Sequence, residues 1–370
     1  MGGVNHSATG IVFLSGGSAL QSMAKHLAAG RHQATHVISV FDSGGSAGRL
    51  RQACDGIAIG DIRKRLTAIG DGQAPTASAL VNLFAARLPG HEPIEMVRGR
   101  VERAAGGDGE LLSGLHNGTS VEIADAFASL LASIPSDFDW CDGSIGNLIL
   151  CGRYLRAGSW TSVLEWAHGR LETCGHVVPV STSGAHLGAR LANGDHVVGQ
   201  AAITCEKNPI PSPIAELYLS DDSLNGAHKV QPDPRALAEI RAAKAIVYAW
   251  GSFYTSVLPS LLVDGVADAI RESDVPKVLL LNPVRDSETR GRSAAELVRE
   301  VRNYCGGDRA LTHVIALRLP NGNSLYHTAD RDQIEALGVE VIEVESPGIP
   351  GPAQLQQVST ELLALSASAA

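Results

Sequence analysis

The sequence predicts an α/β protein: a doubly wound, mainly parallel Rossmann-like sheet with a largely helical insertion and a β-hairpin. Three observations carry this. Short apolar runs stop at Gly/Ser turns and give way to helical patterns near both ends of the chain. Those runs are continuously apolar rather than alternating, as strands buried on both faces are. The middle of the chain is mostly of helical periodicity.

The elements follow in order. Residues 10–14 form an apolar strand that stops at Ser15-Gly16-Gly17, and a helical pattern runs over 19–29. A β-branched strand, 35–41, runs into Gly44 and Gly45. Helical spacing covers 120–133, 145–155 and 159–173, the last opened by a capping serine. Residues 73–110 are weaker in pattern and are expected as helix and loop outside the sheet. Asn193-Gly194-Asp195 between 187–191 and 196–204 signals a hairpin. Asp233-Pro234 then caps a helix to 243, with proline at its first position. Strands follow at 245–250, 277–282, 313–317 and 339–344, with helices at 265–271, 293–304 and 353–365. The expected domains are a core from 1–72 and 175–370, and an insertion from 73–174.

Bulk properties narrow the function. With 30 Lys+Arg against 39 Asp+Glu, the net charge of −9 provides no broad basic field, which argues against a nucleic-acid partner. Six scattered cysteines include no CxxC pair, and no HxH or HExxH occurs among 13 histidines. No secretory signal is visible, and the apolar runs are too short to span a bilayer. A cytoplasmic protein without a membrane partner is expected, as a homo-oligomer, a dimer.

In such sheets ligands lie beyond the carboxyl ends of the strands. The first strand ends in Ser15, Gly16, Gly17 and Ser18. The second ends in Asp42, Ser43, Gly44, Gly45 and Ser46, followed by Arg49 and Arg51. The strand 245–250 ends in Gly251 and Ser252, then Tyr254 and Thr255. Glycine lets backbone N–H groups approach an anion, serine adds a hydroxyl, and arginine pairs with phosphate. Neither a Walker loop nor a GxGxxG fingerprint is present, and each turn could equally be a plain strand-to-helix corner. Asp42 and Asp61 are the carboxylates of interest. Two such groups at a phosphate site are the ordinary way to hold Mg²⁺, whereas Asp61 could equally be a helix cap.

These segments carry a resemblance. DSGGSAGRLR (42–51), GDIR (60–63), GSIGNL (143–148) and GSFYTSVLPSLL (251–262) resemble, in order, motifs of the CofD/YvcK superfamily, and more closely its YvcK branch. The likeness runs from about 11 to about 301 and implies a doubly wound fold with a helical insertion. It also implies an NDP-linked small-molecule ligand, GDP- or UDP-based, with Asp42 and Asp61 near phosphate and metal. Arg63, Ser144, Asn147, the 251–255 turn and Asn282 fall near the nucleotide. One branch implies a Mg²⁺-dependent transferase moving a phosphoryl-linked acid of the 2-phospho-L-lactate type, with Asp42, Asp61 and Arg49 as its catalytic groups. The other implies a UDP-sugar-binding regulator without catalysis. Departures bear on both: Ser43 stands where the family has a second aspartate, Gly143 where it has histidine, and Lys64 where it has asparagine. The loop 283–293 is more basic, through Arg285, Arg290 and Arg292.

Overall fold

The computed structural model describes residues 7–54, 57–205, 207–221, 227–283, 288–289, 291–319, 325–326, 328–348 and 350–368. Arg285 and Arg290 lie outside the described residues. The chain divides into two compact units, Met1–Asp42 with Gly175–Ala370, and Ser43–Cys174.

The first unit is built on a seven-stranded sheet. Its strands are β1 (Ser7–Ser15), β2 (His32–Ile38) and β3 (His176–Pro179), then β7 (Ala245–Tyr248), β8 (Lys277–Leu280), β9 (His313–Arg318) and β10 (Glu340–Glu345). The order is β10-β9-β8-β7-β1-β2-β3, and every pairing is parallel. The chain winds outward one way from β1 and the other way from β7. The strand order therefore reverses between these two neighbours, which pair Ile11 with Ala245 through Leu14 with Tyr248. The absence of alternation in the sequence is explained by burial: β7 and β8 are buried at every position. Ile11, Phe13, Val247, Val278, Leu280 and Ile315 form one core with Met23 and Leu27 of α1 (Gln21–Ala29) and Val358 and Leu362 of the closing helix (Pro352–Ser368). Each such side chain contributes about 1.5–3 kcal/mol when buried.

The expected hairpin is present as β4 (His186–Leu191) and β5 (His196–Val198), which pair antiparallel. Two details differ from the sequence reading. The second strand stops at Val198 and continues as a short helix, Gln200–Ile203. A third strand, β6 (Ile214–Ser220), joins β4 on its other side. Its burial does not alternate, and a register shift at Arg190/Leu191 accounts for the break in period.

The second unit is helical. It comprises α2 (Gly45–Cys54), α3 (Gly60–Ile69), α4 (Ser78–Ala85), α5 (Ile94–Ala105), α6 (Asn117–Ser133), α7 (Ile145–Ala157) and α8 (Trp160–Leu171). Both α2 and α3 pack on α7. They group with the helical unit, whereas the expected core ran to residue 72. No single helix among the described residues is long and apolar enough to cross a membrane.

Candidate functional site

In the first unit, the strand-order reversal sets the β1 turn beside the β7 turn, the position where ligands bind in open parallel sheets. Ser15, Gly16 and Gly17 are buried and Ser18 is exposed, and α1 starts three residues later. Its N-cap, Leu20, supplies no capping side chain, so the first turn of α1 keeps its dipole unmasked by a cap. Asp42, half-buried, is the last residue of this unit's N-terminal segment.

The β7 turn is arranged differently from an open cradle. Gly251 N–H donates to Asn282 Oδ1 (3.1 Å), and Asn282 Nδ2 donates back to the Gly251 carbonyl (2.6 Å). Glu288 supplies the rest. Its Oε2 accepts from Tyr254 N (3.0 Å) and Thr255 N (3.1 Å), and its Oε1 accepts from Thr255 Oγ1 (2.6 Å). The backbone donors of Gly251, Tyr254 and Thr255 and the Thr255 hydroxyl are thus engaged by two side chains from beyond β8. Ser252 stays half-buried at the mouth of the turn. Trp250 is core: it is 5% exposed and its indole N–H donates to the Leu281 carbonyl (3.0 Å). Sequence reasoning overlooked Glu288 because the surrounding loop reads as basic; the only signal was a carboxylate six residues after Asn282, the end of an expected strand.

A resident carboxylate with three donors is hard to replace. Glutamine at 288 has one acceptor oxygen and turns an N–H₂ toward N–H groups. Glu288→Gln is expected to cost about 2–3 kcal/mol. Urea denaturation reads this, together with faster amide exchange at Tyr254 and Thr255; unchanged exchange there would contradict the assignment.

In the second unit the other predicted residues gather at helix starts. Gly45, at φ +57, opens α2. Gly48 is required by packing, since a Cβ there would lie 2.4 Å from the Ser43 carbonyl oxygen. Ser43 and Gly44 are half-buried just before α2, and Ser46 falls in its first turn, its side chain outside what the structure describes. Arg49 turns away from a ligand role: it is ion-paired with Asp139, and its Nη2 donates to the Cys141 carbonyl (2.9 Å).

Asp61 is not a helix cap. The N-cap of α3 is Ile59, and Asp61 sits inside the first turn with its carboxylate 2.9 Å from Lys64 Nζ. Arg63 reaches from α3 to α7, its Nε donating to Asn147 Oδ1 at 3.4 Å in a buried setting. The two helices touch because residue 146 is glycine; a Cβ there would lie 2.9 Å from Arg63 Cγ and 2.8 Å from the Phe84 carbonyl. Ser144, 1% exposed, is the N-cap residue of α7 but makes no capping bond, and its Oγ has no hydrogen-bond partner among the described residues. Two helix starts without side-chain caps, one guanidinium and one unpaired buried hydroxyl therefore meet within this unit. Helix starts of this kind favour anions. Burial, chiefly, holds Arg63 below its ordinary pKa, with the nearby Arg87 charge adding to this and Asp61 opposing it.

Magnesium fits this setting poorly. Around Asp61 stand Lys64, Arg63 and Arg65, so a cation approaching this carboxylate meets three positive charges.

Relatives and solved structures agree with the fold. A protein of Halalkalibacterium halodurans named gluconeogenesis factor is 27% identical over 80% of this chain and 74% of its own length. One of the same name from Listeria monocytogenes is 26% identical over 91% of this chain and 86% of its own. A Nostoc sp. relative is 28% identical over 87% of this chain, which spans 58% of that protein's length. A crystal structure of a Bacillus halodurans protein matches with a TM-score of 0.71 at 24% identity, covering 95% of this chain and 98% of that one. A second from the same organism, described as a member of the UPF0052 family, gives 0.69 at 23%, covering 90% and 92%. These two likenesses concern the fold alone. Residues 11–346 match the family described as 2-phospho-L-lactate transferase CofD, and the chain belongs to the CofD family.

Proposed function

We propose that the protein binds a nucleoside diphosphate-linked small molecule, a UDP-sugar type of ligand, and acts as a ligand-responsive regulator in the cytoplasm. The observation that carries this is the meeting of the α3 and α7 starts around Arg63, Asn147 and Ser144, a phosphate-seeking arrangement whose neighbouring carboxylate, Asp61, is already paired with Lys64. The relatives named gluconeogenesis factor support a regulatory role over a synthetic one. The partner is a small molecule rather than nucleic acid or membrane, and the working form is a homodimer.

A second reading, the Mg²⁺-dependent transferase of a phosphoryl-linked acid, is favoured by the description of the matching family. Thermal-shift binding separates the two, since a ligand that binds only the native state raises its melting temperature. UDP-N-acetylglucosamine is expected to stabilise the protein equally with Mg²⁺ and with EDTA. Ser144→Ala should weaken that binding about tenfold, the worth of one hydrogen bond. Stabilisation by GDP alone, and only with Mg²⁺, would transfer the assignment to the transferase. No response to any nucleotide would end both readings.

A further inference from the structure

Lys64 and Asp61 stand one turn apart at the start of α3, with Nζ and Oδ1 2.9 Å apart. Both side chains are largely withdrawn from water, at 29% and 11% exposure. We propose that Lys64 is the fixed counter-ion of Asp61 in the place a divalent cation would take, so that ligand phosphate is bound here without metal. The proposal rests on reading the α3 and α7 starts as the phosphate site.

Three observations lead to it. First, Mg²⁺ keeps several of its waters when bound by one or two carboxylates, and a carboxylate this enclosed offers little room for a hydrated ion. Second, Asp61 already acts electrostatically on Arg63 and Arg65 as well as pairing with Lys64, so three consecutive cations draw on this anion. A divalent cation would add two positive charges beside the three of Arg63, Lys64 and Arg65. Third, an ammonium has three N–H donors. One goes to Asp61, leaving two that can turn to phosphate oxygens, with the side chain held in place by the pair. Asp61 is then a positioning residue for Lys64 and need not touch the ligand.

The test uses UDP and Mn²⁺ as probes. Calorimetry of UDP binding to the wild-type chain should give the same affinity in EDTA as in Mg²⁺. Lys64→Gln should weaken UDP binding about tenfold or more in EDTA, the worth of one charge-assisted hydrogen bond. Mg²⁺ should recover part of that loss, because Asp61 is then released. A wild-type requirement for Mg²⁺, or unchanged affinity in Lys64→Gln, would overturn the proposal. A second measurement needs no nucleotide. Mn²⁺ is titrated into the free chain up to about 1 mM, a range in which a metal site of weak affinity would fill, while the Ile62 and Lys64 amide resonances are followed. Unbroadened resonances sustain the counter-ion role even if UDP fails to bind, in which case only the nucleotide reading falls. Saturable broadening at these two residues overturns the proposal whatever UDP does.

Discussion

Asp61→Asn is expected to destabilise the helical unit by about 3–5 kcal/mol, the cost of removing one partner from a buried ionic group. The substitution conserves volume, so no cavity contributes. What it removes is a carboxylate that opposes the burial of three neighbouring cations. Lys64 loses its ion-pair partner at 2.9 Å. Arg65 is fully buried, its pKa pushed down to about 10 by burial and partly restored by Asp61. Arg63 has the same relation to Asp61, with Arg87 as an added repulsion. The pH dependence follows in sign. Arg65 holds its proton less tightly folded than unfolded, so it makes stability rise with pH from about 10 up to its ordinary value. Without Asp61 the folded-state value falls further, and the lower edge of that window moves toward neutral pH. Urea denaturation of Asp61→Asn and Lys64→Gln between pH 7 and 10 checks both statements. A loss below about 1 kcal/mol in Asp61→Asn, the range of an exposed pair, would remove the counter-ion role. The same effect bears on function, because lost ligand response in Asp61→Asn would follow from unfolding alone and would not identify a metal ligand.

The sheet was legible because each strand carries its own signal. The 277–282 and 313–317 runs are continuously apolar at 278–281 and 314–317, and Ser293 with Glu296 forms the capping box that starts the helix at Ala294. The reversal between β1 and β7 follows from two runs of parallel winding in one chain. The site was legible only as residue types. Gly251, Tyr254 and Thr255 read as open donors, yet their partners, Asn282 and Glu288, come from more than 30 residues away. Arg49 read as a phosphate ligand because the local segment is glycine-rich; its partner Asp139 is 90 residues distant. Such pairings are set by the fold and leave no local period. Lys64 was visible as a departure from the family pattern, whereas its pairing with Asp61 needed the helix, which places positions three apart on one face.

Gly152→Ala is the other substitution with a large expected effect, and it runs against helix propensity. In an unconstrained helix this change gains up to about 1 kcal/mol. At Gly152 the added Cβ would lie 2.0 Å from the Ala126 carbonyl oxygen, 2.6 Å from its carbon and 3.1 Å from its Cα. These are backbone atoms of α6, so no side-chain rotation relieves the contact; the helices must separate. The interface they leave is densely filled, since α7 is buried at every position from Ile145 to Gly152. Overpacking of this kind costs about 1–3 kcal/mol and at times more, and backbone contact places this case at the upper end. The consequence reaches the candidate site, because the first turn of α7 carries Ser144 and Asn147, and the latter accepts from Arg63. Gly152→Ala should therefore lose about 3 kcal/mol in urea denaturation and weaken nucleotide binding in the same protein. Gly169 in α8 is the control, since a Cβ there meets nothing within 4 Å. Gly169→Ala should leave binding unchanged and raise stability by about 0.5 kcal/mol. Opposite signs for the same chemical change on neighbouring helices would attribute the loss to the α6–α7 contact, and equal signs would refute it.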